Sequence, residues 1–292
     1  LISLGYTMVY GVLRLINFAN SEVVMVGTFA TVIAQVTILR NATGSDPLHG
    51  FTLIYTLVFA LVFSALVCGV LGVLVELVAY RRLRALGTNR LESLISAIAV
   101  SIVLSEAVRI YSHSAPITSP RLLEKWSFGE VAGANFRIDT VMIIVAGSII
   151  FFALDRFVNR SRLGKAIRAV SMSEENSKLM GINLNRVISL TFFIGGLTTG
   201  AAAFFYTTVY ETTQFNVGFN LGLAAFTAAV LGGIGNLRGA FYGGIFLGVL
   251  EQFSSAILGS QWKSVTVFLV LVLVLLIKPS GIFGEAVQQT RT

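Results

Sequence analysis

A polytopic, all-α transmembrane bundle is the fold this sequence predicts, and three observations predict it. Only 12% of the 292 residues are charged, about half of what a soluble domain carries. The apolar runs are continuous rather than alternating, which favours helices over a β-barrel. Lysine and arginine gather in the connections between runs, as they do in cytoplasmic loops. The net charge of +7 therefore speaks for membrane orientation and not for nucleic acid. One cysteine, Cys68, cannot form an internal disulfide. With both histidines, His49 and His113, in expected loops, there is no cluster to bind a metal and little for His-based catalysis.

About 20 apolar residues span a bilayer, and that length orders the elements. Residues 1–13 are a partial span, 23–39 a short one, and 51–80 a run long enough to tilt. Residues 94–111, 141–158 and 187–210 follow. Residues 221–234 are short and glycine-rich, a short or broken helix, and 241–258 and 265–277 close the bundle. The expectation is about eight spans with the first truncated, because the chain opens at Leu1-Ile2-Ser3 as if inside a helix already under way. A single transmembrane domain covers 1–292, with an external loop at 112–139 and a cytoplasmic loop at 159–186. A short amphipathic helix is expected around 121–126. With the second loop placed in the cytoplasm, 15 of the 21 lysines and arginines fall on its side and 6 on the other.

Glycine is the next signal. Gly196 and Gly200, Gly218 and Gly222, Gly239 and Gly243, and Gly244 and Gly248 all have small-xxx-small spacing. This spacing lets helix backbones approach closely where lipid supplies no hydrophobic drive. It suits ordinary packing and also thin helices beside a pathway.

The stretch SRLGKAIRAVSMSEENSKLMGIN, from Ser161 to Asn183, interrupts the grease with charge and helix formers. Ala166, Ile167 and Val170 alternate with Lys165 and Arg168 at helical spacing. Ser171 and Glu174 have the spacing of a capping box, Glu174 and Glu175 suit a helix N-terminus, and Gly181 suits a C-cap. Two short helices across the membrane face are expected. They fit a loop resting on lipid headgroups and equally a docking element for a cytoplasmic partner.

Several stretches together carry a family resemblance: LGYTMVYGVLRLINFANSE (4–22), VELVAYRRLR (75–84), LISAIAVSIVL (94–104), SRLGKAIRA (161–169), LMGINLNRVISLTFFIG (179–195), FTAAVLGGIGNLRGAFYGG (226–244) and KPSGIFG (278–284). The chain resembles the branched-chain amino acid permeases of ABC transporters, of the LivH type, over nearly its whole length. The resemblance implies a subunit of a binding-protein-dependent importer in a bacterial inner membrane. It implies a second homologous permease, two cytoplasmic ATPase subunits and an external solute-binding protein as partners. ATP and Mg would sit on the ATPases, with no cofactor in this chain, which has no phosphate loop of its own. Leu163, Gly164, Ala166, Arg168, Ala169, Glu174, Leu179, Gly181 and Ile182 would form the coupling element. Asn17, Asn20, Glu22, Thr227, Gly232 and Gly233 would belong to the transport pathway or gate. The family usually reads N-x-A-H-G-E where this chain has Asn17-Phe18-Ala19-Asn20-Ser21-Glu22, so the histidine and glycine are replaced.

Charges inside spans are functional candidates by default. Glu76 stands one turn from Arg81 and Arg82, a cytoplasmic-end ion pair. Glu106 and Arg109 can pair on one helix face. Asp155 and Arg156 close a helix. Glu22 suits helix-start capping; the resemblance adds a gating or structural role, but not direct contact with the solute. Glu251 has no local cation and is a candidate for the interface with the second permease. No lysine or arginine lies deep in a span to hold an anion, so a neutral solute is expected. Exposed N–H groups of a broken helix in 221–234 could hold its carboxylate. The readings are an ABC permease for branched-chain or other neutral amino acids, a urea or short-amide permease of the same architecture, and an ion-coupled secondary transporter using Glu106 or Glu251. A membrane enzyme lacks any nucleophile motif.

Overall fold

The computed structural model describes residues 1–15, 17–39, 51–87, 90–119, 122, 127–131, 134–278 and 280–284. The bundle is helical, as expected. It comprises α1 (Ile2–Leu13), α2 (Ala19–Leu39), α3 (Phe51–Val75), a π turn (Glu76–Arg81) into α4 (Arg82–Ala85), and α5 (Arg90–Tyr111). Then come α6 (Ile138–Arg160), α7 (Arg162–Met172), α8 (Glu174–Leu179), α9 (Leu184–Tyr210), α10 (Val217–Gly232), α11 (Leu237–Leu258) and α12 (Lys263–Ile277). Among the described residues, seven helices are long and apolar enough to cross a membrane, and α1 and α10 are shorter apolar helices.

The 112–139 loop holds strands that an all-helical reading did not anticipate. β1 (Ile117–Thr118) pairs antiparallel with β4 (Thr212–Thr213), with Ile117 opposite Thr213. β2 (Ser127–Val131) pairs with β3 (Ala134–Arg137) as a hairpin. The helix expected at 121–126 falls mostly outside the described residues.

The two halves of the bundle repeat with opposite sense. α1 packs on α9, α10 and α11, and α9 packs on α1, α2 and α3. α2 carries α3 and α5, as α10 carries α11 and α12. α1 ends, and α9 begins, at the end where α7 lies: Arg14 donates to the Ser171 carbonyl at 3.2 Å. Both α1 and α9 close on a left-handed residue, Arg14 (φ 52°) and Glu211 (φ 57°). In each half the next helix then starts part-way through the bundle. The 27-residue α9 is about 40 Å long, and its middle fixes the depth. Thr199 bonds Asn20 at 3.4 Å, and the first turn of α10 lies against Ser21 and Glu22. Inverted repeats with broken helices at mid-depth are a recurrent transporter plan.

Three of the four glycine pairs sit where backbones touch. A Cβ on Gly196 would lie 2.3 Å from the Cys68 carbonyl, and one on Gly200 2.5 Å from that of Ser64, seating α9 on α3. Gly218 and Gly222 meet Ser21, and Gly239 and Gly243 meet α10. The fourth pair behaves differently: Gly248 has nothing within 4 Å among the described residues.

Candidate functional site

The quoted loop folds as two helices, as its pattern predicts, but with other caps. Ser161 caps α7 by accepting from the Gly164 N–H at 2.8 Å. Ser173, rather than Ser171, caps α8, accepting from Asn176 at 3.3 Å. Ser171 lies inside α7 and its hydroxyl donates to the Arg168 carbonyl, which removes it as a cap. The far end is a Schellman motif. Gly181 has φ +79°, its N–H donates to Lys178, and that of Ile182 donates to Ser177.

The pair is anchored on one side and bare on the other. Gly164 is buried where a Cβ would strike the Val158 carbonyl at 2.3 Å. Ile167 and Val170 enter the main core, and Ala166 and Ile182 pack at its edge. Arg168 binds the Asn159 side chain and carbonyl at 2.9 and 3.2 Å. Ala169 and Glu174 are half-buried, Gly181 is exposed, and Leu163 is 51% exposed. Met172, Leu179 and Met180 are 82–85% exposed, so the surface of the helix pair carries an apolar patch. Beside α7 lies a cavity of about 900 Å³ lined by Thr7, Arg14, Asp155, Asn236 and Arg238 among others. Arg238 grips both Asp155 oxygens there, at 3.1 and 3.0 Å, joining α11 to α6.

The second site is the junction where α2 and α10 begin. Asn17 accepts from the Tyr80 hydroxyl at 3.1 Å. The Asn20 carbonyl faces Thr199, and its NH₂ has no partner among the described residues. Glu22, 4% exposed, accepts from Ser101 of α5 at 3.4 Å through one oxygen. Its other oxygen has no partner among the described residues and would lie 2.8 Å from a Cβ on Gly218. The carboxylate thus looks into the first turn of α10.

The structure does not bring Thr227, Gly232 and Gly233 to this junction. Thr227 donates to the Leu223 carbonyl of its own helix. Gly232 and Gly233 lie at the opposite end of α10, packed on Gly239 and Gly284. Their glycines serve the turn into α11, where Gly233 and Gly235 both take φ +97°. Sequence reasoning missed Tyr80, Ser101 and Thr199, which come from other elements and carry no local signal. It also set the start of the glycine-rich helix at 221, whereas α10 begins at Val217.

Glu76 is fully buried and accepts from Arg81 at 3.0 Å and Arg84 at 3.3 Å, with Ser189 donating at 2.9 Å. The π turn explains the first pair: five residues apart, the two share a face only where the helix is wider than α. Glu106 and Arg109 pair as their spacing predicts, at 2.5 Å. Glu251 is half-buried and has no ion-pair partner among the described residues.

A membrane bundle of inverted halves, with an anchored helix pair at one end, suggests a transporter subunit. The family model for "Branched-chain amino acid transport system / permease component" matches residues 1–276. The chain belongs to this family. Among its relatives, the high-affinity branched-chain amino acid transport system permease protein BraD of Pseudomonas aeruginosa is 42% identical over 98% of this chain and 91% of its own length. The corresponding permease LivH of Escherichia coli K12 is 38% identical with the same coverage. The ribose import permease RbsC of the same bacterium is 25% identical over 56% of this chain and 53% of its own length. No solved structure matches the chain. Family membership makes this a multi-pass membrane permease component and not an enzyme.

Proposed function

We propose that this chain is the membrane-spanning subunit of a binding-protein-dependent ABC importer for branched-chain or other neutral amino acids, in a bacterial inner membrane. The observation that carries the cytoplasmic half of this reading is the α7–α8 pair. It is locked to the bundle through Gly164, Ile167, Val170 and Ile182 and leaves Met172, Leu179 and Met180 bare. A loop that merely joined α6 to α9 would need neither a Schellman cap nor a buried face. The pair suits docking of a cytoplasmic ATPase, whose motion it would pass to α1 and α9. ATP and Mg belong to two such subunits. A second homologous permease completes the membrane part, with Glu251 a candidate for the contact, and an external protein delivers the solute. The solute is expected to carry no net charge.

Ligand-stimulated ATP hydrolysis by the reconstituted complex tests this reading. Leucine, isoleucine, valine, alanine and urea are compared with glutamate and lysine, each with its binding protein. Stimulation by the neutral amino acids is expected. Stimulation by glutamate or lysine alone would overturn the neutral-solute reading, and urea alone would replace the solute.

A further inference from the structure

We infer that a crevice between α5 and α10, with Glu22 at its base, is where this subunit contacts the ammonium and carboxylate of its solute. This rests on the transport reading above.

The argument begins with what covers α2. α5 packs chiefly on α2 and on the π turn, while α10 packs on α1, α2, α11 and α12. Between α5 and α10, α2 is therefore the floor. Glu22, Val26 and Ile33 recur at helical spacing on one face of α2, and exposure rises along that face. Glu22 is 4% exposed, Val26 half-buried and Ile33 46% exposed. This face of α2 is thus closed at the carboxylate and opens outward past aliphatic side chains.

The wall formed by α10 supplies the second observation. Gln214, Asn216 and Phe219 are exposed, although the first turn of α10 lies level with the middle of α9. Asn216 makes no capping bond to that turn. Bare amides and uncapped N–H groups are costly against lipid and are tolerated where they line water or protein. Helix N–H groups at mid-depth suit a carboxylate. Glu22, aimed at the same turn with one oxygen unpartnered, suits an ammonium. Carboxylate and ammonium on adjacent partners, with Val26 and Ile33 beyond them, describe a neutral amino acid with an aliphatic side chain.

The test uses the complete complex in proteoliposomes with its binding protein. Uptake of leucine by the parent complex tests the transport reading separately. Glu22→Gln should lower uptake at least tenfold, and Glu22→Asp should retain more than Glu22→Gln. Ile33→Cys, with Cys68 replaced by alanine, should react with a charged, membrane-impermeant thiol reagent, and saturating leucine should slow the reaction at least threefold. This labelling also covers the case in which Glu22→Gln fails to assemble. Parental uptake by Glu22→Gln would overturn the inference. So would labelling of Ile33→Cys by a lipid-soluble maleimide alone, or charged labelling that leucine does not slow.

Discussion

The starts of α2 and α10 are built alike and finished differently. Each follows a helix closed by a left-handed residue, Arg14 or Glu211, and each begins near the mid-depth of α9. At the start of α2, Asn17 is buried under Tyr80, and Asn20 and Ser21 are buried. Before α10, Gln214 and Asn216 are exposed, and so is Asn220 one turn on. The same backbone device therefore serves as a lock in one half and as an open edge in the other. Pseudo-symmetry in the backbone does not require symmetry in function; the side chains and their neighbours decide which start can meet a solute.

The largest test of this comparison breaks the contact between the two starts. A Cβ on Gly222 would lie 2.3 Å from that of Ser21. Gly222→Val should destabilise the bundle by about 3 kcal/mol, as overpacking does, read as a fall in the unfolding temperature in detergent. A smaller loss is expected at the buried start. Asn17→Ala strips the Tyr80 hydroxyl of its acceptor and should cost roughly 1–3 kcal/mol. Gly181→Val, remote from both starts, forces a β-branched residue into φ +79° where space itself is open. It should cost about 1 kcal/mol locally, and less solute should move per ATP hydrolysed by the reconstituted complex. The smallest change in stability belongs to the open start: Asn220→Ala should stay within about 0.5 kcal/mol of the parent. Equal losses from Asn17→Ala and Asn220→Ala would erase the distinction.

Much of this was legible in the chain because membranes impose simple rules. Continuous apolar runs located the helices, and the small-xxx-small pairs at Gly196 and Gly218 marked real backbone contacts. Ser173 was misread in favour of Ser171 because both stand near the acidic pair, and only the break at Ser173, extended at φ −155°, decides between them. The polar junction was half legible. Asn17, Asn20 and Glu22 stand out as a cluster, but their partners Tyr80, Ser101 and Thr199 come from three other helices and carry no local signal. Thr227, Gly232 and Gly233 share one glycine-rich run, and α10 is long enough to carry its two ends to different depths. The interface candidacy of Glu251 rests on its lack of an ion pair among the described residues, and the size of the complex purified with the proposed second permease would bear on it.

Reactivity at equivalent depths is the most direct measurement. With Cys68 replaced by alanine, Asn20→Cys and Asn220→Cys are compared in the assembled complex against one charged, membrane-impermeant thiol reagent. The account predicts fast labelling at 220 and labelling at least tenfold slower at 20. Equal rates, or faster labelling at 20, would contradict it.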